Sequence, residues 1–202
     1  MGIPVLILGE SGSGKSASLR NFKQGEIMVF NVANKPFPFR EKLDRIDKSG
    51  YRAIFEEFKA QKYKRYVVDD SQYLLAFESF AKAKENGYQK FTDIALNFWN
   101  LVQMVIKDLP SDVIVYFLGH IERDNNGNEK FKTIGRMLDE KITLEGMFTI
   151  VLKTLVQDGK YMFTTQTNGM DTVKSPVGLF DSITIDNDLK FVDTKIREFY
   201  NI

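Results

Sequence analysis

The chain has 202 residues, 43% hydrophobic and 27% charged, enough for one sizeable domain or two small ones. Its net charge is +1, so no global field draws it to nucleic acid or membrane, and any DNA site must be a local patch. Cysteine is absent, which excludes disulfides and thiolate metal sites and fits a reducing cytoplasm; no apolar run approaches the length of a membrane span.

The chain opens on Ile3-Pro4-Val5-Leu6-Ile7-Leu8, apolar throughout, the pattern of a buried parallel strand. It leads straight from the N-terminus, so no signal peptide is expected. Gly9-Glu10-Ser11-Gly12-Ser13-Gly14-Lys15-Ser16 follows and matches G-x-x-x-x-G-K-[ST] in full. Glycines there let backbone N–H groups point into a concavity that holds an anion. Ala17 to Phe22 can carry a helix whose dipole adds positive potential. In this pattern Lys15 reaches the β- and γ-phosphates of a nucleotide and the Ser16 hydroxyl sits on Mg²⁺. Strand, glycine loop and helix form the context in which the motif has meaning.

Glu26 to Val32 reads as a second strand. Asn34 to Arg40 is a rigid loop, because Pro36 and Pro38 block regular structure. Tyr51 to Lys62 carries a helical stripe of Ile54, Phe55 and Phe58. Lys64-Arg65-Tyr66-Val67-Val68-Asp69-Asp70 is a short strand ending in two carboxylates, the form of a Walker B element. There Asp69 can hold the Mg²⁺ shell through water, since Mg²⁺ dehydrates reluctantly. Asp70 could polarise an attacking water; two acids after a strand can also simply cap the next helix.

Ser71 to Asn86 is expected to be helical, with Leu74, Leu75, Phe77 and Phe80 turned inward. Glu85 to Phe91 interrupts it. Thr92 to Leu109 is a second long helix with Ile94, Phe98, Leu101, Val102, Val105 and Ile106 at helical spacing, Trp99 in the core, and Pro110 as its stop. Val113 to His120 is the next buried strand, ending in the only histidine. Glu122 to Lys130 is a polar surface loop prone to disorder. Leu138 to Gly146 is read as a short helix. Phe148 to Val156 and Lys160 to Thr167 are strands joined by Gln157-Asp158-Gly159, a hairpin signal. Gly169 to Phe180 is a loop, and Leu189 to Ile202 has a weak helical pattern.

In this order the elements resemble the small phage-type ATP-binding proteins of the AAA/RecA-like group. These are single-domain P-loop proteins of phage recombination or replication modules, some described as RecA-like single-strand annealing proteins. The resemblance covers essentially all of residues 1–202. It implies an α/β fold of RecA-like type: a mostly parallel central sheet flanked by helices, with a C-terminal antiparallel hairpin. It implies ATP and Mg²⁺ as cofactors, with Gly9, Glu10, Ser11, Gly12, Ser13, Gly14, Lys15, Ser16 and Ala17 around the nucleotide and Ser16 and Asp69 on the metal. Lys15, Asp70 and His120 are the expected catalytic set. The extra strand between the two Walker strands of such ATPases ends beside the γ-phosphate, where RecA-like proteins keep a glutamine switch and this chain has His120.

The resemblance further implies single-stranded DNA as partner, a homo-oligomer, and other phage recombination or replication proteins as neighbours, in a bacterial cytoplasm and away from membranes. Ile121 to Thr133, including Lys130, and Glu85 to Phe91 fall where those proteins place mobile DNA-contacting loops. Tyr88, Lys90 and Phe91 could stack on bases and meet phosphate. Arg123, Lys132 and Arg136 are candidates for a cation supplied to a neighbouring subunit. One departure stands out. RecA-like proteins keep a catalytic glutamate at the end of the second strand, and here the residues are Asn31-Val32-Ala33-Asn34. Asp70 takes that role, Glu10 contributes, or hydrolysis is slow and the protein is an ATP-bound switch. No N-terminal assembly segment is expected before the first strand, so a RecA-style filament is not implied. A small-molecule kinase and a nucleotide-gated interaction protein remain as alternatives.

Overall fold

The computed structural model describes residues 1–134 and 143–202. They form an α/β structure around a nine-stranded sheet. The strands are β1 (Ile3–Gly9), β2 (Met28–Asn31), β3 (Asp44–Asp47), β4 (Arg65–Asp69), β5 (Ile114–Arg123), β6 (Glu129–Phe131), β7 (Ile150–Gln157), β8 (Lys160–Thr164) and β9 (Thr184–Asp186). The helices are α1 (Tyr51–Ala60), α2 (Gln72–Ala81), α3 (Gln89–Asp108) and α4 (Leu189–Tyr200). The spatial order is β3-β2-β4-β5-β1-β7-β8-β9, with β6 paired to β5.

Strands β3, β2, β4, β5, β1 and β7 are mutually parallel; β8 and β9 continue the sheet antiparallel. Their near-continuous Val, Ile and Leu runs reflect coverage on both faces. Leu6, Leu8, Val68, Val115 and Phe117 face α1, α2 and α3. Val5, Ile7, Val67, Ile114 and Tyr116 face α4 and the short 3-10 turn Ser16–Asn21. Alternation along each strand thus sorts apolar side chains into two cores, one on either face.

The β7–β8 hairpin forms as the sequence predicts. Asp158 and Gly159 both take positive φ, 51° and 73°, and Gln157 pairs with Lys160, the two-residue turn whose twist matches the flanking strands. Other expectations are corrected. Strand β2 is shorter than Glu26 to Val32, and Phe148 precedes β7. Edge strands β3 and β9 carry no apolar run that would announce them: their burial alternates between half-buried and exposed. Phe77 and Phe80 are 49% and 78% exposed, because Leu74 and Leu75 already fill the inward stripe of α2. Trp99 is half-buried, with the Lys107 ammonium in cation–π contact 5.5 Å from its ring centre.

Strand β5 does not end at His120 but runs on to Arg123 and folds back as β6. The expected disordered loop is therefore a hairpin, its turn held by Asp124 accepting from the Asn126 and Asn128 N–H groups. Helix α3 begins at Gln89, so Lys90 and Phe91 stand on its first turn. Of the expected helix Leu138 to Gly146, residues 138–142 lie outside the described residues, and Leu144–Met147 is a 3-10 turn. No helix among the described residues is long and apolar enough to cross a membrane.

Candidate functional site

The register of the parallel strands brings distant residues to one edge of the sheet. Gly9 is aligned with His120, and Asn31 with Asp69. Strand β5 lies between β1 and β4. The C-terminal ends of β1, β2, β4 and the β1-paired part of β5 therefore open into one cleft, the usual place for a ligand in such sheets. The cleft measures about 490 Å³ and includes Lys15, Ser16, Lys35, Asp69, Asp70 and His120 among its lining residues.

The glycine loop is held from within and from β7. Ser13 Oγ donates to the Glu10 carbonyl at 2.6 Å and lies 2.6 Å from Thr154 Oγ1. Gly14 takes φ +100°, a conformation open to glycine, and its Cα side packs against the Tyr161 ring and Asn187, where a Cβ would meet Tyr161 Cδ1 at 2.8 Å. The loop leads into a six-residue 3-10 turn rather than an α-helix. The macrodipole expected there is correspondingly short, and an anion would be held mainly by loop N–H groups and by Lys15.

Lys15 is 6% exposed. Its Nζ donates to the Gly9 and Glu10 carbonyls at 2.9 and 2.8 Å, folding the ammonium over its own loop. Burial lowers its pKa to about 8, against the raising pull of Asp70 and Asp69. Ser16 Oγ donates to Asp69 Oδ1 at 2.9 Å. Burial raises the Asp69 carboxyl to about 6, with the Asp70 charge adding to it.

Asp70 behaves in the opposite way. Its backbone is left-handed, φ 58°. Lys35 Nζ lies 2.7 Å from Oδ2 and His120 Nε2 3.2 Å from Oδ1, so an Nε2–H tautomer of His120 donates to the carboxylate. Burial pushes Asp70 up, but the hydrogen bonds from His120 and Lys35 and their charges outweigh it, and its pKa is about 2. A carboxylate held so low is a weak proton acceptor. The Tyr73 ring packs edge-on to His120 with centroids 6.3 Å apart and stacks on Phe77 at 5.4 Å.

A hydroxyl and a buried carboxylate in direct contact are the hard oxygen donors that suit Mg²⁺. Two such ligands fit an ion that takes its remaining shell from water and phosphate. Among the described residues no group of three or more His, Cys, Asp or Glu could hold a metal.

Among the described residues, Arg123, Lys130, Lys132, Tyr88, Lys90 and Phe91 are not part of the cleft lining. Arg123 Nη2 is 3.0 Å from Glu10 and 2.9 Å from Glu129, so it is engaged within its own chain. Lys132 is exposed, its N–H bonded to the His120 carbonyl. Lys130 lies 3.7 Å from Glu122. Arg136 is outside the described residues. Tyr88 is 89% exposed at the α2–α3 corner. Lys90 donates to the Glu85 carbonyl at 2.7 Å and lies 5.4 Å from the Phe91 ring centre.

Sequence reasoning missed Lys35, Thr154 and Tyr161. Lys35 sits in a stretch whose visible signal is its prolines. Thr154 and Tyr161 belong to a hairpin that is legible in the sequence, but nothing local says that the hairpin packs against the glycine loop. Compared with known proteins, the chain matches no family model and no curated protein.

Proposed function

We propose that the chain is a single-domain, RecA-like P-loop ATPase of the phage type. It binds Mg-ATP, hydrolyses it, and acts with single-stranded DNA in recombination, replication or strand annealing, as a homo-oligomer in the host cytoplasm. The observation that carries the nucleotide reading is the Ser16–Asp69 contact beside a glycine loop whose lysine is folded into the same cleft. The intervening strand β5 supports an ATPase over a small-molecule kinase.

In this reading the loop N–H groups and Lys15 bind the phosphates, and Lys15 exchanges its carbonyl partners for phosphate oxygens. Ser16 and Asp69 orient Mg²⁺, which supplies charge neutralisation at the phosphates. Phosphoryl transfer asks the protein mainly for positioning and electrostatics. Asp70 fixes the His120 ring, and the two together orient the attacking water. His120 passes the nucleotide state to Tyr73 and Phe77 along α2, toward the exposed Phe80 and Tyr88, which offer faces for base stacking.

The low proton affinity of Asp70 favours a second reading as well: a nucleotide-gated interaction protein with little turnover. Phosphate release with and without single-stranded DNA, at fixed and stated salt, separates the two. The ATPase reading predicts release that DNA stimulates and that His120→Ala uncouples from DNA while nucleotide affinity stays. Tight ATP binding without turnover in either condition supports the switch. Transfer of the phosphate to a nucleoside contradicts both.

A further inference from the structure

Asn31 ends β2, the strand after which the resemblance expects an acid. Its side chain clamps the backbone four residues on. The Lys35 N–H donates to Asn31 Oδ1 at 3.1 Å, and Asn31 Nδ2 donates to the Lys35 carbonyl at 2.8 Å and to Asp47 Oδ1 at 2.6 Å. With Pro36 next in the chain, the Lys35 backbone is fixed at the rim of the cleft. The side chain is not fixed in the same way. It is 56% exposed, reaches Asp70 at 2.7 Å, and passes its ammonium 5.2 Å from the Tyr73 ring centre.

The chain thus has an amide where the resemblance expects an acid and a cation four residues on, and that cation is ion-paired to Asp70, just after β4. We propose that Lys35 is a movable phosphate-contacting residue: ion-paired to Asp70 in this structure, and drawn onto the terminal phosphate when a nucleoside triphosphate binds. The inference rests on the Mg-ATP reading of the cleft and adds a triphosphate sensor to it. Three observations make the exchange feasible. A half-exposed lysine loses little solvation by moving within the cleft. A triphosphate carries more negative charge than one carboxylate and attracts the ammonium more strongly. Asp70 keeps His120 as a hydrogen-bond partner, so the departure of Lys35 does not strip the carboxylate of every donor. Lys15, bonded within the loop, reaches the β-phosphate that ATP and ADP share as well as the γ-phosphate; Lys35 serves the γ-phosphate alone.

The test is calorimetric titration with Mg-ATP in a non-hydrolysable form and with Mg-ADP. The proteins are the wild type, Lys35→Ala, Lys35→Arg and Asp70→Asn, each checked for folding by its melting transition. Losing one charge-assisted contact predicts that Lys35→Ala weakens triphosphate binding about ten-fold while ADP binding stays within about two-fold. Lys35→Arg restores most of the loss. Asp70→Asn, which removes the competitor, raises triphosphate affinity relative to ADP. Equal losses for both nucleotides, or none, in Lys35→Ala overturn the sensor and leave the nucleotide site standing. A wild type that binds neither nucleotide overturns the nucleotide reading itself.

Discussion

Asp69 and Asp70 are adjacent in sequence and equally buried, each 6% exposed, yet their electrostatics oppose. Asp69 is desolvated with one hydroxyl for company; Asp70 is held by two nitrogen donors. For Asp69 the folded-state pKa is raised to about 6. The folded chain therefore keeps a proton that the unfolded chain releases near pH 4, and stability falls as pH rises between those values. For Asp70 it is lowered to about 2, so its ion pair stabilises the fold above the unfolded carboxylate range and is lost as pH falls toward that value. At pH 7.5 Asp69→Asn should raise the melting temperature and Asp70→Asn should lower it, each by roughly 2–4 °C per kcal/mol for a chain of this size. The Asp69 difference should shrink as the pH is lowered from about 6 to about 4, and the Asp70 difference as it falls from about 4 toward about 2. Calorimetric melts across that range check this, and shifts of the same sign at pH 7.5 would contradict the assignment. The same residue pair shows what sequence can and cannot disclose. Two acids after Val67-Val68 mark the end of a strand near the glycine loop, but which of them is paired depends on Lys35 and His120, 35 and 50 residues away.

At the scale of elements, periodicity disclosed what is buried on two faces and missed what is not. Strands β1, β4, β5 and β7 are legible because continuous apolar runs are needed between two helical layers. Strands β3 and β9 are not, since edge strands with polar side chains look like loops until a neighbour pairs with them. The inward assignment of Phe77 and Phe80 failed for a similar reason: a helix that buries Leu74 and Leu75 has no room for every apolar residue on one face. The β5–β6 hairpin was concealed by its polar turn. Its fold-back depends on Gly119, where a Cβ would run into the Phe131 ring of β6. Phe131 in turn packs on Phe98 of α3 at 5.7 Å. Gly119→Ala should cost about 1–3 kcal/mol, as overpacked cores do. Gly50→Ala, with open space around its Cβ position and φ −117°, should stay within about 0.5 kcal/mol. Denaturant unfolding of the two variants compares them directly, and equal stabilities would remove Gly119 from this role.

At the scale of the molecule, the parallel sheet gathers groups from the ends of four strands and the loops that follow them, while the chain as a whole stays near neutrality, at net charge +1. The cleft was the most legible part of this arrangement, because eight contiguous residues carry its motif. Its walls were the least, because they come from the β2–β3 loop and the β7–β8 hairpin. Under the proposed function, DNA engagement would rest on aromatic stacking and a few local cations rather than on a global field. The central claim is that this cleft binds a Mg-nucleotide through Lys15, and titration calorimetry of the wild type and Lys15→Ala with Mg-ATP tests it most directly. The account predicts saturable binding by the wild type, weakened about ten- to hundred-fold in a folded Lys15→Ala protein; absence of binding in the wild type, or equal affinity in the two proteins, would contradict it.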